Sequence, residues 1–143
     1  MRQKRIWLSP QNLDASSSVR GNFDLVYKND KGEILVVEAK GGVSPSLGKK
    51  QIGDEDYQQG TTEYFAGTNQ EMAQRKAKTG DSADKISRIE GDNKAAEAIM
   101  DAAEDGKEIK YLLIETQLTN EPSTALKQVK AKEFDFDPRA VLD

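Results

Sequence analysis

The sequence predicts an α/β fold in which helices flank a mixed central β-sheet. Three observations predict it: two β-forming runs joined by a polar turn, a central portion with helical patterns, and a return to β-forming residues near the end. The order of strands, two helices and further strands indicates an α/β sandwich. At 143 residues the chain is long enough to bury a real core, and we expect residues 1–143 to form one domain.

The first two predicted strands carry the clearest local signal. Residues 23–27 and 34–37 are rich in β-branched, aromatic and aliphatic side chains. Residues 28–33 contain asparagine, aspartate and glycine, which favour a tight turn. The second run is apolar on both faces, as in a central strand, and we expect it to stop at Gly41-Gly42.

The remaining elements follow from periodicity and from residues that begin or end helices. Breaker residues predict a loop over 43–53, and the apolar spacing of 54–77 predicts a helix capped by Asp54. Residues 79–91 are polar and indicate no definite element. The other predicted elements are an irregular segment at 1–20, a helix at 92–105 capped by Asp92 and ended by Gly106, and strands at 109–118 and 129–136.

Absent residue types limit the chemistry available to this chain. It contains no cysteine and no histidine, which excludes disulfides, thiolate zinc sites, and cysteine- or histidine-dependent catalysis. Acid–base chemistry is therefore left to carboxylates, lysine, tyrosine or metal-bound water. A metal site would have oxygen ligands, which favours Mg²⁺ or Mn²⁺. No apolar run is long enough to span a membrane.

One group of charged residues stands out on the two first strands. Side chains two apart on a strand share a face, so Glu38 and Lys40 point the same way, and Asp24 lies on the neighbouring strand. Two carboxylates and a lysine in this arrangement can hold a divalent cation and a hydrolytic water. The pattern indicates metal-assisted phosphodiester hydrolysis, although a plain ion pair between Glu38 and Lys40 remains the alternative.

The charge distribution is mixed. The formal net charge is −4, which does not favour binding to a polyanion, but basic residues gather in three places. These clusters are Arg2, Lys4 and Arg5; Lys49 and Lys50; and Arg75, Lys76 and Lys78. A solvated surface is the simpler interpretation of each cluster, and core packing is the simpler one for Tyr57 and Tyr64.

The spacing of Asp24 and Glu38-Ala39-Lys40 resembles the core pattern of the PD-(D/E)XK nucleases, which have the restriction-endonuclease-like fold. A narrower resemblance rests on Glu38-Ala39-Lys40-Gly41-Gly42, Tyr57-Gln58-Gln59-Gly60-Thr61 and the strand at 110–114. These segments look like the nuclease domains at the C-termini of bacterial polymorphic toxins, including contact-dependent growth inhibition effectors. The resemblance covers most of residues 21–137.

The resemblance implies a role for each matching residue. Asp24, Glu38 and the Ala39 carbonyl would be the ligands of Mg²⁺ or Mn²⁺, and Lys40 would orient the attacking water. Gln58 or Gln59, expected on the following helix, would position Lys40, the water or a phosphate. Substrate contacts would come from Gln58, Thr61, Tyr64, Lys49 and Lys50. Many members of this superfamily carry another glutamate before the first catalytic strand, whereas here only Asp14 precedes Asp24.

The resemblance further implies a metal-dependent nuclease toxin, delivered as part of a larger secreted or cell-surface protein and acting in the target-cell cytoplasm. DNA is the expected substrate. A tRNA-cleaving ribonuclease of the same fold and a catalytically inactive binding module are the alternatives. A toxin of this kind would have a cognate immunity protein, with the loop at 41–53 and the basic clusters as candidate contacts.

Overall fold

The computed structural model describes residues 5–9, 21–42, 45–119 and 126–143. Within these residues the chain forms strands, two α-helices and one short 3-10 helix. The strands are β1 (Arg5–Ser9), β2 (Leu25–Asn29), β3 (Ile34–Gly42), β4 (Lys49–Ile52), β5 (Glu55–Gln58), β6 (Ile109–Leu118) and β7 (Leu126–Glu133). The α-helices are α1 (Thr62–Gln74) and α2 (Ala83–Glu104), and the 3-10 helix is Pro138–Leu142.

The main sheet has five strands in the order β1-β2-β3-β6-β7. The pair β3–β6 is parallel, and the other three pairs are antiparallel. A parallel pair needs a long crossover, and here β4, β5, α1 and α2 lie between its two strands. The predicted α/β class with a mixed sheet is therefore confirmed.

The turn between β2 and β3 forms as its residue types predict. The Asn29 side-chain oxygen accepts hydrogen bonds from the backbone N–H groups of Lys31 and Glu33, at 3.0 and 2.9 Å. Gly32 adopts a positive φ of 82°, which a residue with a Cβ rarely tolerates. This turn fixes the register in which Leu25 pairs with Val37 and Tyr27 with Leu35. Strand β3 continues through Gly41-Gly42, beyond its predicted end.

The core lies on one face of the sheet. Val26, Val36 and Tyr111 point to that face and are fully buried. Both helices contribute residues to the same cluster, from Phe65 of α1 to Ile99 of α2. The aromatic rings in contact, with centroids 4.5–5.8 Å apart, belong to Phe23, Phe65, Tyr111, Phe134 and Phe136. In the described part of the chain, α1 and α2 thus pack on the same side of the sheet.

The region 45–61 differs most from the prediction. Strands β4 and β5 form a separate antiparallel hairpin where a loop and the first turns of a helix were predicted. Helix α1 begins only at Thr62, and its cap is Thr61, whose hydroxyl accepts from the backbone N–H of Tyr64. Asp54 is therefore not a cap. The buried side chains of α1 include Tyr64, Thr68 and Met72.

Helix α2 is longer than predicted. It begins at Ala83 with Ser82 as its cap, so Asp92 lies in the middle of the helix and is buried. Its end is as predicted: Gly106 has φ +68°, and the Lys107 N–H donates to the Ala102 carbonyl at 2.8 Å. None of the described helices is long and apolar enough to cross a membrane.

The outer strands were predicted less completely. Strand β6 has the predicted bounds, whereas β7 begins and ends three residues before the prediction. The predicted irregular segment 1–20 includes strand β1. Residues 1–4, with Arg2 and Lys4, and residues 10–20, with Asp14, lie outside the described residues, as do residues 43 and 44.

Gly60 provides a test of the packing between the second hairpin and the core. Its φ is +96°, and a Cβ there would lie 2.3 Å from the Phe134 ring. We expect Gly60→Ala to lower the free energy of unfolding by about 2–4 kcal/mol, because strain and overpacking add. Gly80→Ala is the matched control, since Gly80 has φ +93° and nothing within 4 Å of the added methyl. It should cost about 1 kcal/mol in urea unfolding, and equal losses for both variants would contradict the packing argument.

Candidate active site

Asp24 and Glu38 face each other across the β2–β3 pair. Leu25 pairs with Val37, so the preceding residue Asp24 lies opposite Glu38 at the end of the ladder. The backbone N–H of Ala39 donates to Asp24 Oδ2 at 2.8 Å. The two acids predicted to act together therefore do lie together.

Glu38 is buried in spite of its carboxyl group. Only 1% of the residue is exposed. Gln59 Nε2 donates to Glu38 Oε2 at 2.6 Å, and the Tyr111 hydroxyl donates to Glu38 Oε1 at 3.2 Å. A buried carboxyl needs such donors, because an unpaired polar group in the interior costs several kcal/mol.

The surroundings of Glu38 change its acidity. Burial, and secondarily the negative charge of Asp24, raise the pKa of Glu38 to about 8. The Tyr111 hydrogen bond and the positive charge of Lys40 act in the opposite direction and do not cancel the rise. Two adjacent acids in such a site cannot both be ionised easily, so the pair favours a proton or a cation between them.

Gln59 is held by the backbone around it. It lies in the turn after β5, not on a helix as predicted. Its N–H donates to the Gly48 carbonyl at 2.8 Å, and its Oε1 accepts from the Gly48 N–H at 3.1 Å. A Cβ placed on Gly48 would lie 3.7 Å from both Gln59 Oε1 and Lys40 Nζ, so Lys40 reaches the same place. Gln59 thus joins the second hairpin to the carboxyl of Glu38.

Tyr111 is a site residue that the sequence reasoning missed. It lies on β6, points to the same face as Glu38 and is 0% exposed. Burial, followed by the negative charge of Glu38, raises the pKa of the Tyr111 hydroxyl. The parallel alignment of β3 and β6 could have indicated it, because Tyr111 pairs with Val36, two residues before Glu38.

A second polar group lies along α1. Lys50 Nζ donates to Thr68 Oγ1 at 2.8 Å, pairs with Glu71 at 3.3 Å and lies 5.3 Å from the centre of the Tyr64 ring. Burial lowers the pKa of Lys50, and Glu71 opposes this effect. Burial, followed by the charges of Glu38 and Asp24, raises the pKa of Tyr64 to about 12. Lys50 is therefore within electrostatic reach of Glu38, and Tyr64 is within reach of both acids.

The other predicted substrate residues have structural contacts or are simply exposed. Thr61 caps α1 and donates to the Gln58 carbonyl at 2.8 Å. The Gln58 and Lys49 side chains are exposed on the second hairpin. We find no contact between these three side chains and the Asp24–Glu38 pair in the described part of the chain.

The donor set suits a hard cation but is sparse. Asp24, Glu38 and the Ala39 carbonyl supply oxygen ligands of the type that Mg²⁺ and Mn²⁺ prefer. Among the described residues, no group of three or more Asp, Glu, His or Cys side chains is arranged to hold a metal ion. Mg²⁺ commonly retains several waters and binds one or two carboxylates, so the residues present fit such an ion if water and phosphate oxygens complete its coordination.

Comparison of the chain with models of protein families, with curated proteins and with solved structures finds no match.

The raised pKa of Glu38 predicts how the stability of the metal-free protein depends on pH. An acid whose pKa rises on folding stabilises the fold below its unfolded value of 4.5, and that contribution is lost as pH rises toward 8. At pH 9 the penalty is at most about 5 kcal/mol, at ~1.4 kcal/mol per pKa unit. We expect Glu38→Gln to be more stable than wild type at pH 9 in EDTA by about 2–4 kcal/mol.

The measurement is thermal and urea unfolding between pH 5 and 9 in EDTA. Glu97→Gln is the matched control, because Glu97 is exposed on α2. It should leave the difference between pH 5 and pH 9 unchanged. A Glu38→Gln protein with the pH profile of wild type would show that Glu38 is ionised in the folded state at neutral pH.

Proposed function

We propose that this chain is a divalent-metal-dependent endonuclease of the restriction-endonuclease-like type, acting on phosphodiester bonds as a toxin domain. The observation that carries the proposal is the pairing of Asp24 with the buried Glu38, with Lys40 and Gln59 converging on the same place. The strand register places Asp24 opposite Glu38, and the repulsion between two neighbouring negative charges favours a cation there. Nucleic-acid hydrolysis is the reaction class that such a pair and a neighbouring lysine support.

The fold supports the same proposal in a general way. Glu38 lies on β3, and Asp24 immediately precedes β2, the antiparallel neighbour of β3. On its other side β3 pairs with the parallel strand β6 in the middle of the sheet. This arrangement agrees with the acid on one strand and acid-x-lysine on the next that the sequence pattern implies. It leaves Lys40, near the end of β3, only partly buried and able to contact a substrate.

A Mg²⁺ or Mn²⁺ ion bound there would neutralise charge on the phosphate and lower the pKa of a water. Asp24, Glu38 and the Ala39 carbonyl would hold the ion. Lys40 would donate to the attacking water or to a nonbridging phosphate oxygen, and so stabilise the charge that develops in the transition state. Lys50, whose charge interacts with Glu38, would add positive charge beside the site.

Gln59 and Tyr111 act as positioning residues in this proposal. Both donate to the Glu38 carboxyl, one to each oxygen. They fix the direction in which the carboxyl presents its lone pairs, as donors to metal-ligating carboxylates commonly do. Gln59 in turn depends on Gly48, which couples the second hairpin to the site.

The biological setting follows from the proposal of a toxin. The domain would be delivered within a larger secreted or cell-surface protein and would act in the cytoplasm of a target bacterium on DNA, or alternatively on tRNA. A cognate immunity protein would protect the producing cell. In the segment 41–53, suggested above as a contact for it, Gly41-Gly42 belong to β3 and Lys49–Ile52 form β4.

The test of the proposed function is cleavage of supercoiled plasmid and total tRNA, side by side, with Mg²⁺, Mn²⁺ or EDTA. We expect metal-dependent cleavage of plasmid, and a loss of at least ~100-fold in rate for Glu38→Gln and for Lys40→Ala. Lys94→Ala is the control, because Lys94 is an exposed residue of α2. Cleavage of tRNA alone would change the substrate, whereas no cleavage of either nucleic acid and no metal binding would favour the inactive binding module.

The positioning role predicts effects on metal affinity. Tyr111→Phe and Gln59→Leu each remove one donor to Glu38 and should weaken Mn²⁺ binding about 10-fold or more, measured by calorimetry. The Tyr27→Phe control removes a hydroxyl from β2 on the other face of the sheet and should bind Mn²⁺ as wild type does. Wild-type affinity in both donor variants would mean that Glu38 does not depend on them for its orientation.

A further inference from the structure

A basic cleft lies between the end of α1 and the first half of α2. It has a volume of about 220 Å³ and is lined by Arg75, Lys76, Lys85, Arg88, Ile89 and Asp92. Four of these residues are basic and one is acidic, although the whole chain carries a net charge of −4. A local excess of positive charge on an acidic protein attracts anions to that place.

The cations converge because of helix geometry. Lys85, Arg88, Ile89 and Asp92 are three, four and seven residues apart, so they share one face of α2. Lys85 also pairs with Asp81 at 3.1 Å, and its side chain is still 49% exposed. Arg88 is exposed, and Ile89 provides an apolar surface beside it. The two cations suit a phosphate, and the apolar surface of Ile89 suits the sugar that is attached to the phosphate.

The cleft is attached to the segment that leads into the candidate active site. The buried Asp92 accepts from Asn22 Nδ2 at 2.8 Å and from Arg75 Nη1 at 2.9 Å. Asn22 is two residues before Asp24, so their Cα atoms are at most about 7 Å apart. One strand of nucleic acid rises ~3.4 Å per nucleotide, so a few nucleotides cover the distance from Asp24 to the cleft.

We propose that this cleft binds a backbone phosphate of the nucleic-acid substrate, a few nucleotides from the bond that is cut. The inference rests on the proposed nuclease function and adds a second place where the substrate is held. Lys85 and Arg88 contact the phosphate, and Ile89 contacts the adjoining sugar. Arg75 lines one side of the cleft, and its ion pair with Asp92 holds it there. Such contacts fix the position of a strand without reading its sequence.

The experiment compares nucleic-acid binding by proteins that are expected not to cleave the nucleic acid. All proteins carry Glu38→Gln, and Mg²⁺ is present. A short fluorescein-labelled DNA duplex and a labelled tRNA are titrated by anisotropy at several salt concentrations. The variant is Lys85→Gln with Arg88→Gln, and the control of equal charge change is Lys94→Gln with Lys107→Gln, two exposed lysines outside the cleft lining.

We expect the cleft variant to bind about 10-fold more weakly at ~0.1 M salt than the background protein, and the slope of log affinity against log salt to fall by about two. The control should keep affinity and slope. Thermal unfolding checks that both double variants are folded, which the exposure of all four side chains leads us to expect.

The outcomes separate this inference from the proposed function. If the background protein binds nucleic acid and wild type cleaves it, but the cleft variant binds as the control does, the cleft proposal is overturned and the nuclease proposal stands. Equal weakening in both double variants would show general charge attraction and would also overturn the cleft. If no protein binds or cleaves DNA or tRNA, both proposals fail.

Discussion

The buried carboxyl of Glu38 is the constraint on which the rest of the structure depends. A carboxyl that is 1% exposed is tolerated only where donors meet it or a proton neutralises it. The donors come from the turn after β5 and from β6, while Asp24 approaches from the start of β2. The second hairpin, the parallel strand pair and the start of β2 must therefore all be in place before Glu38 can be buried.

The middle of α2 satisfies polar groups at the C-terminal end of α1. Asn93 Nδ2 donates to the carbonyls of Met72 and Arg75 at 2.8 and 3.1 Å, and so satisfies acceptors that a helix end leaves without partners. The adjacent Asp92 holds Arg75 and Asn22. Asp92 and Asn93, which are consecutive on α2, thus hold the end of α1 and the residues just before Asp24. Helix α2 therefore fixes the position of the basic cleft relative to the paired acids.

The prediction from sequence failed where few side chains are buried. Strands β4 and β5 consist mostly of exposed polar or charged residues, with Ile52 and Tyr57 among the few partly buried ones, so they show no clear alternation of apolar and polar residues. In this polar segment Asp54 was predicted to cap a helix, because aspartate is common at that position. Asp92 was misjudged because aspartate is a common helix cap. Its burial within a helix is explained only by Asn22 and Arg75, which lie 70 and 17 residues away and donate to its carboxylate.

The sequence by itself determined the β2–β3 hairpin, strand β6, the end of α2 at Gly106 and the placement of Glu38 and Lys40 on one face. These features depend on turn chemistry and on strand alternation, which operate between near neighbours in the chain. Only the tertiary structure brought Gln59 and Tyr111 to Glu38, across 21 and 73 residues of sequence. The tertiary structure also decides the acidity of Glu38. Desolvation of its carboxyl depends on every group that surrounds it, and not on its neighbours along the strand.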